Sequence, residues 1–592
     1  MLVTVKPASR TLRRPSAIVL AAFVAGAVPF ALHAWAALHG SFDQDDFIVT
    51  YRAAQTGPFD LGFLFQDYHG HLAPGGFFLA ALITWWSPLD FPLLMAPLLL
   101  MQAAAVVLCW AVLVRCFGRR WAILVPFTVF TASTLLLVPT LWWSFGIQLV
   151  PLVLAMTAAA HAHVRYLRDG GRWRIATLAW TVFGLAFYEK AAVIPILLVA
   201  ITVWLGVPLR RHLTLWLGHA AVLGGFAILF LARTSSQVAN GPGQVSAGTV
   251  ADTAGRMVGD TLLPGLLGGP WSGPGAGAIW APSPVFVSVG LTVAALVVLI
   301  AGVRVGGARA RGAWALLGLA FAVDVVLVAA TRLTEVGPEI GDDPRFVADL
   351  VLIAVLCGAF AFLTPLRVDG AEPGSPSASP PGERERTFAL VVSVLLIASS
   401  VVGFSRLAPA LRFDHSRQYI ANVRAAVELD PELVLFDTFV PKDVVHEWFA
   451  DDSRASRVVG LLPGIRFDEP AGRMHLLDAN GNPQRITGVT PVSRSVPGLM
   501  PDCGTLVGET LVSIPLDTPV LGRHLLKVDY YTSDGGEGII ESDRVRTPVW
   551  FQAGLHSVYL PADGLFDRIG IKLSGGGAPI CVPKIEAGIP VT

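Results

Sequence analysis

The chain has 592 residues, of which 54% are hydrophobic and only 15% charged, with a mean hydropathy of +0.61 and a formal net charge of zero. That balance excludes an ordinary soluble domain, and zero net charge removes any global electrostatic case for a nucleic acid partner. The length leaves room for a helical membrane region and one further domain of ordinary size.

Apolar runs long enough for a hydrocarbon core of about 30 Å recur along the first two thirds of the chain. They predict about eleven transmembrane helices, at 17–39, 91–115, 121–138, 145–165, 173–188, 191–206, 213–231, 282–302, 313–331, 347–366 and 386–404. Basic residues cluster in alternate connections: Lys6, Arg10, Arg13 and Arg14; Arg115, Arg119 and Arg120; Arg165, Arg168, Arg172 and Arg174. The alternation continues with Arg210 and Arg211, with Arg304, Arg309 and Arg311, and with Arg367, Arg384 and Arg386. By the positive-inside rule the N-terminus is cytoplasmic, and an odd number of spans puts the C-terminus outside a cell membrane. No A-x-A-like cleavage site follows the first run, which reads as a signal anchor.

Two further segments complete the predicted membrane region, residues 1–404. The first outer loop, 40–90, contains an apolar stretch at 72–86 that is too short to span. Counting it as a span would invert every later loop, so it reads as an interfacial helix with Trp85 and Trp86 at headgroup depth. The tract 367–386 is Pro/Ser/Gly-rich and charged, a flexible cytoplasmic linker.

After the last span the long apolar runs stop, and 405–592 is expected to be an extracytoplasmic domain. A helix at about 415–429, a buried strand at 433–436 and a second helix at about 441–450 come first. Short alternating segments then lie between the turn signals Asp534-Gly535-Gly536, Asp563-Gly564 and Gly575-Gly576-Gly577, which predict a β-sandwich over about 500–592. Cys503 and Cys581 bracket it in an oxidising compartment, so a disulfide is expected. Cys109, Cys116 and Cys357 lie in apolar stretches as packing residues.

On this topology the membrane-level polar groups fall on the outer face. The first loop carries Asp43, Asp45 and Asp46, then Tyr68-His69-Gly70-His71 and Pro74; the next such connection supplies Glu189 and Lys190; a late one supplies Asp342, Asp343 and Arg345. Charge at bilayer depth is costly and marks polar cavities and sites. Paired carboxylates can bind a divalent cation, or one can act as general base while the other orients substrate. Basic groups nearby suit a phosphate. A base plus a phosphate clamp fits sugar transfer from a lipid-phosphate donor. Other readings stay open at each position. The acids can be loop acids or helix caps, His69 and His71 can be merely polar, and Glu189-Lys190 can be a local ion pair. Asp342, Asp343 and Arg345 can cap a helix, and Trp142, with Trp143, can belong to an interfacial belt or stack on a sugar.

The signal anchor, the Asp45-Asp46 pair in a long first loop and the His-x-x-Pro of His71–Pro74 together resemble the GT-C glycosyltransferases. Protein O-mannosyltransferases, the aminoarabinose transferase and the cell-wall arabinosyltransferases share that layout. Residues 116–120 (CFGRR) and the pair Arg345-Phe346 also match; Gly70-His71-Leu72 stands where a Lys-Pro-Pro run occurs in the aminoarabinose transferase. The resemblance covers about 15–405. It implies a polyprenyl-phosphate-linked sugar donor, an envelope glycan, lipid or protein acceptor, and inverting transfer with Asp45 or Asp46 as base. It implies Lys190 and Arg345 as donor phosphate ligands. The β-sandwich resembles the carbohydrate-binding modules appended to cell-wall arabinosyltransferases. A non-catalytic envelope glycan-binding or assembly protein, or a transporter using Asp324, are the alternatives.

The topology is directly testable. Cysteines introduced singly at Gly118, Gly170 or Gly307 should be protected from an impermeant thiol reagent in intact cells, and those at Thr56, Asn240 or Asn480 should react. Labelling at Gly170 from outside would overturn the orientation.

Overall fold

The computed structural model describes residues 16–234, 246–274, 280–368, 382–543, 545–575 and 577–592. Most of the predicted linker, and the basic residues ahead of the first span, lie outside the described residues. The chain divides into two compact units: 1–42 with 55–413, and 43–54 with 414–592. The segment Asp43–Ala54, drawn from the first loop, thus belongs with the C-terminal unit.

The first unit is helical throughout. Seven helices are long and apolar enough to cross a membrane: Ala17–Leu38, Phe91–Phe117, Trp143–Asp169, Leu209–Arg233, Val285–Gly306, Ala308–Thr331 and Glu383–Leu411. The pair Trp121–Ala132 and Thr134–Thr140, bent by 40°, makes an eighth if taken as one span. The chain is therefore a multi-pass membrane protein, with seven or eight helices of full spanning length among the described residues. The remaining three predicted spans are helical but short: Trp173–Phe187, Ile194–Trp204 and Leu350–Phe362. At 1.5 Å per residue, 13 residues reach only about 20 Å. Their apolar stretches are lengthened by 3-10 turns, Glu189–Val193 and Pro344–Phe346, which carry the polar residues of the connections. Trp143–Asp169 is the central helix, 89% buried over its apolar window, and packs on Phe91–Phe117, Trp173–Phe187 and Ile194–Trp204. Val285–Gly306, 6% buried, keeps its apolar surface for lipid. The short run 72–86 forms the helix Pro74–Trp86, with Trp85 and Trp86 exposed.

The second unit is rich in sheet. One antiparallel sheet runs in the order Val545–Phe551, Gly536–Ser542, Leu565–Leu573, Val512–Leu521. The other runs Gly554–Ala562, His524–Thr532, Ile580–Val591, Gly488–Arg494, with Thr505–Val507 also on Ile580–Val591. Alternate residues of both sheets, among them Val528, Tyr530, Phe551, Phe566, Ile569 and Ile585, meet in one core. Before the sandwich, the strands Arg466–Phe467, Val434–Leu435 and His475–Leu477 lie parallel, and Pro483–Arg485 adds an antiparallel edge. The helix Asp414–Leu429 buries Tyr419, Ile420, Val423 and Val427, one face of a 3.6-residue period. A second core of Val434, Phe436, Met474, Ile486, Leu525 and Tyr559 joins this layer to the sandwich.

The helix expected at about 441–450 does not form. Residues Glu447–Ser453 make 3-10 turns broken at Ala450, which has φ 49°. Local bonds win there over helix propensity: His446 Nδ1 accepts from Trp448 N, and Val440 N donates to Ser453 O at 2.9 Å.

Cys503 and Cys581 are bonded across 78 residues of sequence. Closing a loop of that length stabilises the fold by about 4–5 kcal/mol on the chain-entropy scale. Cys503→Ser with Cys581→Ser should therefore lower the unfolding midpoint of the sandwich, followed by circular dichroism. A midpoint equal to that of the parent chain, reduced and oxidised alike, would show that the bridge does not stabilise it.

Candidate functional site

Each unit brings predicted residues together. In the helical unit, Tyr68 and His71 exchange backbone bonds of 3.2 and 3.0 Å across His69 (φ 53°) and Gly70 (φ 83°). Two central residues at positive φ make a tight reversal, which glycine at the second position favours. Asp67 Oδ1 accepts from Gly70 N at 2.9 Å and holds the turn. The turn sets His71 against the next connection, where its Nδ1 lies 2.7 Å from Glu189 Oε1, with the Tyr188 ring 5.8 Å away between centroids. Glu189 Oε2 is buried without a hydrogen-bond partner among the described residues.

Lys190, next in sequence, points elsewhere. Its Nζ donates to Asp324 Oδ1 at 2.7 Å and to Asp349 Oδ1 at 3.0 Å, and both acids are buried. Three charges drawn from three parts of the chain thus meet out of water. The mid-span acid Asp324, the feature that kept a transporter reading open, is a partner of Lys190.

Arg345 folds back on its own turn. Its backbone N donates to Asp343 Oδ1 at 2.9 Å and its Nε to Asp343 Oδ2 at 2.7 Å. The guanidinium carbon stands 4.4 Å over the ring of Trp142, a cation–π contact that covers one face of a buried indole. Asp342 takes a 3.0 Å bond from Arg256. Burial pushes the Asp342 carboxyl above the usual carboxylate range, and Arg256 opposes that shift.

The C-terminal unit holds the acidic helix Asp45–Ala54. Asp46 is buried, and its Oδ2 accepts from Asp43 N at 3.1 Å while Asp46 N donates to Asp43 O at 2.7 Å. Asp46 thus reaches back across the first turn, and Asp43 is buried beside it. Asp45, one residue earlier and about 100° round the helix, is half-buried. Among the described residues no three His, Cys, Asp or Glu side chains are grouped to hold a metal ion.

This helix is mounted on the loop after the strand Val434–Leu435. Arg52 pairs with Asp452 at 2.7 Å, and Arg457 reaches the same carboxylate at 2.6 Å. Gln44, at φ 35°, accepts from His446 N at 2.8 Å and donates to Lys442 O at 3.5 Å. Below the loop, Asp437 is buried and takes 2.8 Å bonds from Ser456 N and Oγ. Burial pushes its carboxyl upward and those two bonds oppose the shift. Sequence reading missed Asp349, Gln44, Arg52, Asp452 and Arg457. Of these, a partner for Lys190 could have been sought from the cost of a lone intramembrane charge.

The triad gives a prediction. Lys190→Ala leaves Asp324 and Asp349 buried without their cation, a loss on the scale of about 3–5 kcal/mol. The thermal denaturation midpoint of the purified chain should fall, and adding Asp324→Asn should restore part of it. An unchanged midpoint in the single variant would show that the pairing is not structural.

No family model matches the sequence, and no match is found among curated proteins. Among solved structures, the chain is similar to the mycobacterial arabinofuranosyltransferase AftD, determined by single-particle cryo-EM. The identity is 11% and the TM-score 0.37, over 97% of this chain and 58% of that one. A mutant of the same enzyme matches at 11% identity and a TM-score of 0.30, over 97% of this chain and 61% of that one. The chain spans about three fifths of the length of those structures.

Proposed function

We propose that this chain is a GT-C-type membrane glycosyltransferase that moves a sugar from a polyprenyl-phosphate donor to an envelope glycan, lipid or protein outside the cell membrane. The observation that carries the reading is the division of labour in the acidic pair. Asp46 is buried and bonded to the backbone of Asp43, and Asp45 is its half-buried neighbour on the first turn of the helix.

In this mechanism the Asp45 carboxylate takes the proton of the acceptor hydroxyl as its oxygen attacks the anomeric carbon. The bond from that carbon to the phosphate oxygen breaks, and polyprenyl phosphate leaves with the electron pair. Attack from the opposite face inverts the centre. Asp46 acts through Asp45, by fixing the turn that presents it. Negative charge grows on the leaving phosphate, so cationic donors there lower the barrier. Arg345 is assigned the larger share of that task, since its guanidinium lies over the Trp142 ring rather than between two buried acids. Lys190 adds less. Two of its three N–H donors go to Asp324 and Asp349, and the triad sums to −1 when both acids are ionised.

Asp45→Asn keeps size and hydrogen bonding but cannot accept a proton. With a panel of polyprenyl-phosphate sugars, release of polyprenyl phosphate should fall by roughly 10²–10⁴-fold with folding intact. Near-normal turnover in both Asp45→Asn and Asp46→Asn would remove the acidic pair from the mechanism.

A further inference from the structure

The loop that carries the acidic helix has an unexplained aromatic at its tip. Trp448 is 76% exposed, although an indole is a large apolar surface to leave in water. Its position is nonetheless fixed. The His446 ring lies 4.3 Å from it between centroids, and Trp448 N donates to His446 Nδ1 at 3.3 Å. The loop is closed at its base by Val440 N on Ser453 O at 2.9 Å and Ala455 N on Thr438 O at 2.8 Å.

Three features select an occupant. The loop leaves the carboxyl end of Val434–Leu435, a strand in a parallel layer, and such ends are where ligands collect in open α/β sheets. Around Trp448 the same loop exposes Lys442, Asp443, Glu447 and Asp451. Three carboxylates on the loop of one indole, Asp443 paired with His415 at 2.7 Å and Asp451 with Arg454 at 2.9 Å, suit neither a lipid surface nor an apolar protein patch. They suit a neutral polyol, whose C–H face lies on the ring and whose hydroxyls donate to the acids. Finally, Gln44, directly before Asp45, is bonded to Lys442 O and His446 N of this loop. The loop of Trp448 and the residue that precedes the acidic pair are thus bonded to one another.

We infer that Trp448, braced by His446, is a stacking platform for a sugar ring of the acceptor, and that the acceptor is therefore a glycan or glycoconjugate. This rests on the reading of Asp45 as the base. It narrows the acceptor and assigns a binding surface that belongs to neither the acidic pair nor the sandwich.

The test uses the full chain in lipid nanodiscs with methyl glycosides of mannose, glucose, galactose and arabinofuranose as probes. Saturation-transfer NMR should show transfer to ring C–H protons of at least one glycoside. Trp448→Ala should abolish it and Trp448→Phe should retain part. Where turnover is measurable, Trp448→Ala should raise acceptor KM by roughly two- to tenfold, the scale of one aromatic contact, with kcat little changed. Asp45→Asn should bind the glycosides as the parent does. Glycoside binding in a parent chain that releases no polyprenyl phosphate from any donor of the panel would sink the proposed reaction and leave the platform standing. Equal transfer in Trp448→Ala and parent, no transfer from any probe, or quenching of Trp448 by brominated lipids would each overturn the platform.

Discussion

A charge removed from water must be met by another, and in the helical unit that requirement is concentrated at Lys190. One ammonium holds two buried carboxylates, Asp324 from the middle of Ala308–Thr331 and Asp349 from the start of Leu350–Phe362. The three elements involved cannot shift independently without exposing an unpaired ion, a loss of several kcal/mol. The short helices follow from the same demand. Trp173–Phe187 stops early and Leu350–Phe362 starts late, because the backbone next to them is spent on 3-10 turns that deliver Glu189, Lys190 and Arg345. Non-helical backbone at that depth is tolerable where protein, rather than lipid, surrounds it.

The C-terminal unit solves a related problem with different parts. Its acidic helix is only ten residues long, too short to be stable alone. Arg52, Asp452 and Arg457 bind its last turn in a chain of charge-assisted bonds, and the 442–446 backbone binds Gln44 before its first. The loop doing this rests in turn on Asp437 and Ser456 at the end of a buried strand. The sandwich core below supplies the rigidity, and the disulfide ties its first strands to its last.

Much of this architecture is legible in the sequence because apolar length and alternation are local signals. Each predicted span is helical, and the sandwich falls where turn glycines punctuate alternating runs. Hydropathy, however, counts apolar residues and cannot see where a helix unwinds, which is why three of the eleven runs form short helices flanked by other turns among the described residues. Lys190 is conspicuous in sequence, but Asp324 lies 134 residues away and Asp349 159, and no periodicity links them. At 441–450 helix-forming residues are overruled by loop closure through Ser453 and by the His446 cap. Adjacency alone shows that Asp45 and Asp46 diverge. Which of the two turns inward depends on the backbone N–H of Asp43, a tertiary detail.

The mount of the acidic helix has a further consequence for reactivity. Gln44 sits at positive φ, a conformation that costs an L-residue roughly 1–2 kcal/mol, so it persists only because the bonds around it over-determine it. Those bonds run to the backbone of 442 and 446, on either side of which the exposed acids and Trp448 project. Strain at Gln44 is therefore held by the same loop that carries Trp448. General-base catalysis needs its carboxylate at hydrogen-bond distance from the reacting hydroxyl, and displacements of about 1 Å cost heavily in rate. A base carried on a free ten-residue helix would not meet that tolerance. One carried on a closed loop, itself fixed to a strand end, would. In the proposed reaction, binding energy gained by a sugar ring away from the reacting hydroxyl would then be spent on orientation rather than on ordering the protein.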